Sequence, residues 1–393
     1  MFSARVPGLR SNRIARALAR ARAGGLPLDD LTVSNPTAIG IPYPHGLLEP
    51  LARPEALRYE PAPFGLPCAR EAVATHLRAA GVQVPMDRVI LTASTSEAYS
   101  LLFKLLCDPA DRVLTPQPSY PLFDHLTRLD AVVASPYALE YHGRWELNLA
   151  SLREALDRDA RVRAVLLVSP NNPTGSFVRQ DELDAVSDLA AERGLALICD
   201  EVFHSYALPA YDSVPPGRLV MRSDVLTFTL GGLSKMAGLP QLKLGWILVG
   251  GPERLVTRAL SRLELICDSY LSVATPVQLA VDTLLEQTKV VVADIEHRIR
   301  TNHACLEQMV RKFPATQLLR VEAGWYAVIQ VPAVRSEEAM VLDLIEQERI
   351  YVHPGYFFDF PREAFLIVSL LPEPSRFGSV LARMLARIGT SPS

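Results

Sequence analysis

Hydrophobic and polar positions alternate along the chain with two different periods. Short, almost wholly apolar runs at Val89–Thr92, Arg112–Thr115, Ala164–Val168, Leu195–Cys199, Val225–Thr229 and Leu244–Val249 have the length and β-branched content of buried strands. Between them lie stretches with helical spacing, such as Glu97–Leu106 and Asp181–Glu192. Strand–helix alternation of this kind predicts an α/β fold, with a largely parallel sheet and helices on both faces. From Thr275 to Val310 the pattern is almost unbroken helix. It is followed by a glycine–aromatic segment (Gly324, Trp325, Tyr326), a helix near Glu337–Glu348 and a loop, HPGYFF. The pattern divides into a large domain over residues 40–285 and a smaller α+β domain made of 1–39 and 286–393.

Length supports that division. At about 150 residues per domain, 393 residues suggest two to three domains. Apolar residues make up 49% and charged residues 21%, which excludes a disordered chain. A net charge of -3 gives no electrostatic reason for a nucleic-acid partner, and no apolar run is long enough for a membrane span. The five cysteines are scattered and form no CxxC pair, so a reducing compartment without structural zinc is expected.

Six arginines (Arg5, Arg10, Arg13, Arg16, Arg20, Arg22) precede the first acid, Asp29, as in a transit peptide. Ile14, Ala17, Leu18 and Ala21 fall on one helical face, however, and the segment runs directly into LTVSNPT. An amphipathic helix packed on the body is the expectation. The Ala/Arg/Leu-rich composition points to a bacterial cytoplasmic enzyme.

Candidate chemistry collects where the predicted strands end, the usual ligand edge of such sheets. Lys235 follows an apolar strand and two glycines. A shielded lysine is biased towards its neutral, nucleophilic amine, although a lysine at a strand end can equally point to solvent. Asp200 ends the strand LALICD, where a buried acid needs a cationic partner such as a pyridinium nitrogen. Asn172, in SPNNPTG, can donate to a ring hydroxyl or simply belong to a turn. Tyr120, after RVLTP, can stack on a flat ring or pack in the core. Ser94, Thr95 and Ser96 begin a helix, where free N–H groups suit a phosphate dianion; Ser94 with Glu97 also spells a capping box. Lys243 offers a cation to the same anion.

With those residues in view, the sequence resembles the class I/II aminotransferases, pyridoxal 5'-phosphate enzymes of fold type I. The resemblance runs through SNPT, YEPAPFG, the Ser/Thr loop, PSYP, NNPTG, CDEVF, LSK, GLPQLKLGW and HPGYFF. It implies that Lys235 carries the cofactor as an aldimine and shuttles protons. Asp200 then pairs with the pyridine nitrogen, Asn172 binds the ring hydroxyl and Tyr120 stacks on the ring. Ser94, Thr95, Ser96, Ser234 and Lys243 hold the phosphate. Tyr59 reaches the phosphate of a neighbouring subunit, implying a homodimer with shared sites, and Asn35 and Asn172 lie with the substrate.

Three departures stand out. Phe203 occupies the place of a tyrosine that donates to the ring oxygen. Gly232 and Lys243 replace a serine and an arginine, and a lysine cannot form arginine's bidentate fork. Ile367 occupies the place of the arginine that binds the substrate carboxylate. Arg376, Arg362 or a cation near the N-terminus takes that task, or the substrate lacks the carboxylate. The implied reaction is transfer of an amino group between an amino acid or amine and a 2-oxo acid. A lyase, racemase, decarboxylase or cyclase on the same cofactor is the alternative. A DNA-binding regulator is excluded by the short N-terminal segment, and an inert scaffold is opposed by Lys235, Asp200 and Asn172.

Overall fold

A computed structural model describes residues 2–8, 11–209, 216–220 and 222–389. Arg10 of the basic N-terminal set lies outside them. The largest sheet has eight strands, in the spatial order Val89–Thr92, Gly245–Gly250, Thr227–Gly232, Ala196–Asp200, Val162–Val168, Arg112–Gln117, Val133–Tyr141 and Trp145–Leu147. The five strands from Thr227–Gly232 to Val133–Tyr141 are mutually parallel. Gly245–Gly250 runs against both its neighbours, and Trp145–Leu147 against its single one.

The central strands read as continuous apolar runs because both faces of the sheet are covered. Val165, Leu167, Leu197 and Cys199 point into one buried cluster, together with Val186 and Ile295. Ala164, Leu166, Val168 and Ile198 point into another, with Leu102 and Leu263 from helices Thr95–Leu106 and Glu253–Asp268. Each fully buried leucine of this kind stabilises the fold by about 1.5–3 kcal/mol relative to exposure.

Two strands escape the apolar-run pattern. Val133–Tyr141 is half exposed along much of its length and carries Pro136. Trp145–Leu147, its outer neighbour, pairs only with Leu139–Tyr141. Pro136 therefore lies where one side of the strand has no partner, a position that tolerates a missing N–H donor.

A second, antiparallel sheet has the order Gln317–Leu318, Tyr326–Gln330, Phe365–Ser369 and His353–Pro354. The N-terminal chain is sewn to this part of the molecule. Asp29–Asp30 pairs in parallel with Ile350–Tyr351, while Ser369 donates from its N–H to Leu31 O at 2.6 Å and from its hydroxyl to Val33 O. Helix Arg13–Ala23 starts at Asn12, whose side chain accepts from Ala15 N–H at 2.7 Å. The helix buries Ile14, Ala17, Leu18 and Ala21, the face its spacing predicts, against the segments Glu337–Asp343 and Leu344–Glu348.

The long C-terminal helical stretch is two helices, Thr275–Gln287 and Lys289–Val310. They meet at buried Thr288, whose hydroxyl donates back to Leu284 O at 2.7 Å, a contact that bends helices. Among the described residues, no helix is long and apolar enough to cross a membrane, and no three or more His, Cys, Asp or Glu gather as a metal site.

Candidate active site

Sheet topology alone brings the chemistry together. Val89–Thr92 is antiparallel to Gly245–Gly250, which is antiparallel to Thr227–Gly232. The carboxyl ends of Val89–Thr92, Thr227–Gly232, Ala196–Asp200, Val162–Val168 and Arg112–Gln117 therefore open on one edge, and Gly245 begins its strand there, in register with both Thr92 and Gly232. Read along that edge, the residues just beyond the strands are Ser94, Lys243, Lys235, Asp200, Asn172 and Tyr120.

Lys235 sits in the short helix Leu233–Met236. Burial pushes its amine below the ordinary lysine range, and Lys243 adds to that, while the negative charge of Asp200 opposes both. Its Nζ lies 5.9 Å from the ring centre of Phe203 and 5.5 Å from that of Trp325. Those two rings meet edge to face at 5.3 Å, and Tyr206, which packs on Trp325, donates its hydroxyl to Lys235 O. The amine thus projects into an aromatic corner. Gly232 has a steric reason: a Cβ there meets Gly245 Cα at 3.0 Å and Leu244 O at 3.1 Å, so a serine requires the two strands to part.

Asp200 is 8% exposed. Its Oδ1 accepts from Val202 N–H at 3.0 Å and its Oδ2 from the Tyr99 hydroxyl at 2.9 Å. Burial pushes its proton affinity up, and these two donors together with Lys235 pull it down. Among the described residues Asp200 forms no ion pair within 4.0 Å. The adjacent asparagines divide the labour. Asn171 is fully engaged, its amide donating to Pro118 O and Thr174 Oγ1 and its Oδ1 accepting from Ser119. Among the described residues, the buried Oδ1 of Asn172 has no hydrogen-bond partner.

At the other end of the edge, Ser94 caps helix Thr95–Leu106. Its hydroxyl accepts from Glu97 N–H at 3.2 Å, while the Glu97 carboxylate takes Ala93 N–H. Ser94 caps the helix, but the Glu97 carboxylate takes the N–H one residue before it, so half of the capping box forms, and the cap uses a lone pair of the Ser94 hydroxyl and leaves its proton. Ser234 flanks Lys235, and Lys243 stands exposed with a left-handed backbone (φ 51°) that turns the chain into Gly245–Gly250.

Tyr120 lies at the mouth, edge-on to Phe123, its hydroxyl proton held more tightly by burial and by Asp200. Tyr59 is 76% exposed on the outer surface. Asn35 spends its Oδ1 on Thr37 N–H and Thr37 Oγ1. Ile367 is 0% exposed, paired across the sheet with Val328 and His353. Strand Phe365–Ser369 carries no cation at any position. Of the alternative cations, Arg376 is bound to Asp29 at 2.7 Å and Arg362 lies over the Phe365 ring. Arg13 and Arg20 pair with Glu338 and Glu346. Arg22 acts on Tyr351, whose hydroxyl burial and Asp30 push up to about 12 against that charge.

Tyr99, Tyr206 and the contact of Trp325 with the amine were not anticipated. Each looks in sequence like an ordinary core aromatic, and only the sheet edge brings them to Asp200 and Lys235.

Comparison with known proteins settles the family. The profile described as "Aminotransferase class I and II" matches residues 51–375. The chain belongs to the class I and II aminotransferases. This aminotransferase is 26% identical over 352 residues to the glutamate-pyruvate aminotransferase AlaA of Escherichia coli K12, covering 86% of this chain and 85% of that protein. It is also 26% identical over 381 residues to an alanine aminotransferase of Mycobacterium bovis, covering 93% and 86%. An Escherichia coli aminotransferase structure superposes with a TM-score of 0.84 at 23% identity, covering 97% of this chain and 99% of that one. A Pyrococcus furiosus alanine aminotransferase superposes at 0.83 with 21% identity, covering 96% and 99%. The enzyme shares the fold type I architecture of these neighbours, and its family works with pyridoxal phosphate.

Proposed function

We propose that this aminotransferase binds pyridoxal 5'-phosphate along the strand edge, with Lys235 as its covalent anchor, and moves amino groups between an amino donor and a 2-oxo acid. The observation that carries this is the order of residues along the edge. Hydroxyls and a helix start lie at one end with Lys243 beside them, then a lysine whose proton affinity burial lowers and, among the described residues, a buried carboxylate without an ion-pair partner and an asparagine with an orphaned oxygen. Those gaps fit the group: a phosphate, an aldehyde, a ring nitrogen and a ring hydroxyl are what they lack. When bound, the cofactor supplies an aldehyde that takes an amino group and a ring that draws electrons from the carbon beside it.

The chain does the rest. Ser94, Thr95, Ser96, Ser234 and Lys243 hold the phosphate, with the helix start adding its N–H groups. Asp200 holds a proton at the ring nitrogen. Asn172 meets the ring hydroxyl, and Tyr120 covers one ring face. Phe203 has no hydroxyl to give the ring oxygen. The Nζ of Lys235 would be the base that takes the proton from the donor's amine-bearing carbon and delivers it to the carbon supplied by the cofactor's aldehyde, so that the amino group leaves the donor.

Tyr59, exposed in the single chain, suits a homodimer in which it reaches the partner's phosphate. The five free cysteines suit a cytoplasmic protein. The separate antiparallel sheet and the N-terminal segment sewn to it suit a division into 40–285 and 1–39 with 286–393.

The test is optical. Purified protein, or protein reconstituted with pyridoxal phosphate, absorbs in the visible, and Lys235→Ala abolishes that band. A colourless protein that cannot be reconstituted overturns the proposal.

A further inference from the structure

Helix Thr95–Leu106 reaches the site twice. Its start carries Ser94, Thr95 and Ser96, and one turn later it carries Tyr99, 2% exposed, which donates to Asp200 Oδ2 at 2.9 Å. The tyrosine ring cannot swing. Phe103 stacks on it at 6.1 Å and Phe123 meets its edge at 5.5 Å. The second oxygen of Asp200 is pinned by Val202 N–H at 3.0 Å. One donor on each oxygen fixes the plane of the carboxylate and leaves a lone-pair direction on each for a partner that the described residues do not supply. A hydrogen bond to the ionised form also works against the burial that favours a neutral acid.

We propose that Tyr99 is a positioning residue for the cofactor's ring nitrogen: its hydroxyl holds Asp200 ionised and in plane, so that the heterocycle is recognised by its nitrogen. This rests on the cofactor reading above. It goes further by assigning the tuning of Asp200 to a residue on the same rigid helix that starts at the anion site. A purely structural Tyr99 would fill space between Phe103 and Phe123, a task phenylalanine performs equally well.

The experiment measures the affinity of the full-length, cofactor-stripped protein for pyridoxal phosphate and for its analogue with CH in place of the ring nitrogen. Wild type, Tyr99→Phe and Asp200→Asn are compared. Wild type prefers the nitrogen compound, and Asp200→Asn abolishes the preference. Tyr99→Phe lowers it roughly 10–100-fold, the range for one hydrogen bond to a charged group, while affinity for the CH analogue stays within about threefold. Tyr99→Leu serves the same purpose if the phenylalanine variant does not fold. An unchanged preference in either variant, or an equal loss of both ligands, overturns the role of Tyr99 alone. Absence of any preference in wild type overturns the cofactor reading and this inference with it.

Discussion

Gly175 closes the NNPTG turn, and its replacement tests how that turn is held. Its φ is +70°, and a Cβ there lies 2.5 Å from Ala323 O and 2.7 Å from Val321 Cγ1. The turn is locked at this residue. Gly175 O accepts from Glu322 N–H at 3.1 Å and Ala323 N–H at 2.9 Å, and its own N–H donates to Asn171 O at 2.8 Å. Gly175→Ala therefore carries two penalties, about 1–2 kcal/mol for a left-handed alanine and about 1–3 kcal/mol for overpacking against backbone that cannot retreat without losing those bonds. Gly194 provides the control, because it is also left-handed (φ +64°) but has nothing within 4 Å of its would-be Cβ. Gly194→Ala carries only the first penalty. Urea unfolding of both variants separates the terms, with Gly175→Ala about 1–3 kcal/mol below Gly194→Ala and an unchanged m-value. Equal midpoints for the two variants would show that the turn yields freely, and that the contact with Val321–Ala323 does not fix Asn172.

Other consequences are open to direct measurement. Asp200→Ala retains part of the bound cofactor and loses at least about 100-fold in turnover, since the carboxylate that keeps the ring nitrogen protonated, and the ring able to accept electrons, is removed; near-full activity would make the acid structural. Amino donors with and without a free carboxylate, tested on wild type and Arg22→Ala, sort the carboxylate problem. If Arg22 has replaced the arginine missing at Ile367, carboxylate donors are fast and Arg22→Ala raises their KM about tenfold or more. If carboxylate donors are slow throughout, the pocket is built for amines. His204 and His353 are both pushed down to about 4 by burial, from an ordinary 6.5. Unfolding then takes up as many as two extra protons between those values, so stability falls as pH drops from about 6.5 to 4, at up to roughly 1.4 kcal/mol per pH unit for each histidine. A His204→Gln/His353→Gln double variant flattens that slope in urea titrations at several pH values; an undiminished slope would place the protons elsewhere.

The parts of this enzyme that were legible in its sequence are those where burial is complete. Val162–Val168 and Ala196–Asp200 announce themselves because both faces are covered, and the first polar residue after each run, or a few positions on, marks the working edge. Val133–Tyr141 did not, because one flank is partly open and its side chains follow no clean period. The break at Thr288 was equally hidden, since a threonine is acceptable within a helix and only its hydroxyl's bond to Leu284 O marks the bend. For Ser94 both sequence readings describe the same atom, because the cap uses its lone pair and leaves its proton. Tyr99 shows the limit. Its spacing places it among the buried residues of its helix, and nothing local reveals that its hydroxyl meets a carboxylate 101 residues later.

The stitching of Asp29–Asp30 and Leu31 to residues 350, 351 and 369 has a consequence for synthesis. The apolar face of helix Arg13–Ala23 is covered by residues that leave the ribosome some 320 positions after it. At about 5–20 residues per second, that stripe of Ile14, Ala17, Leu18 and Ala21 waits roughly 15–65 s for its partner. During that interval the nascent chain displays a basic, greasy helix to every chaperone and protease within reach. Closure of the N-terminal segment is thus a late event in the birth of the protein.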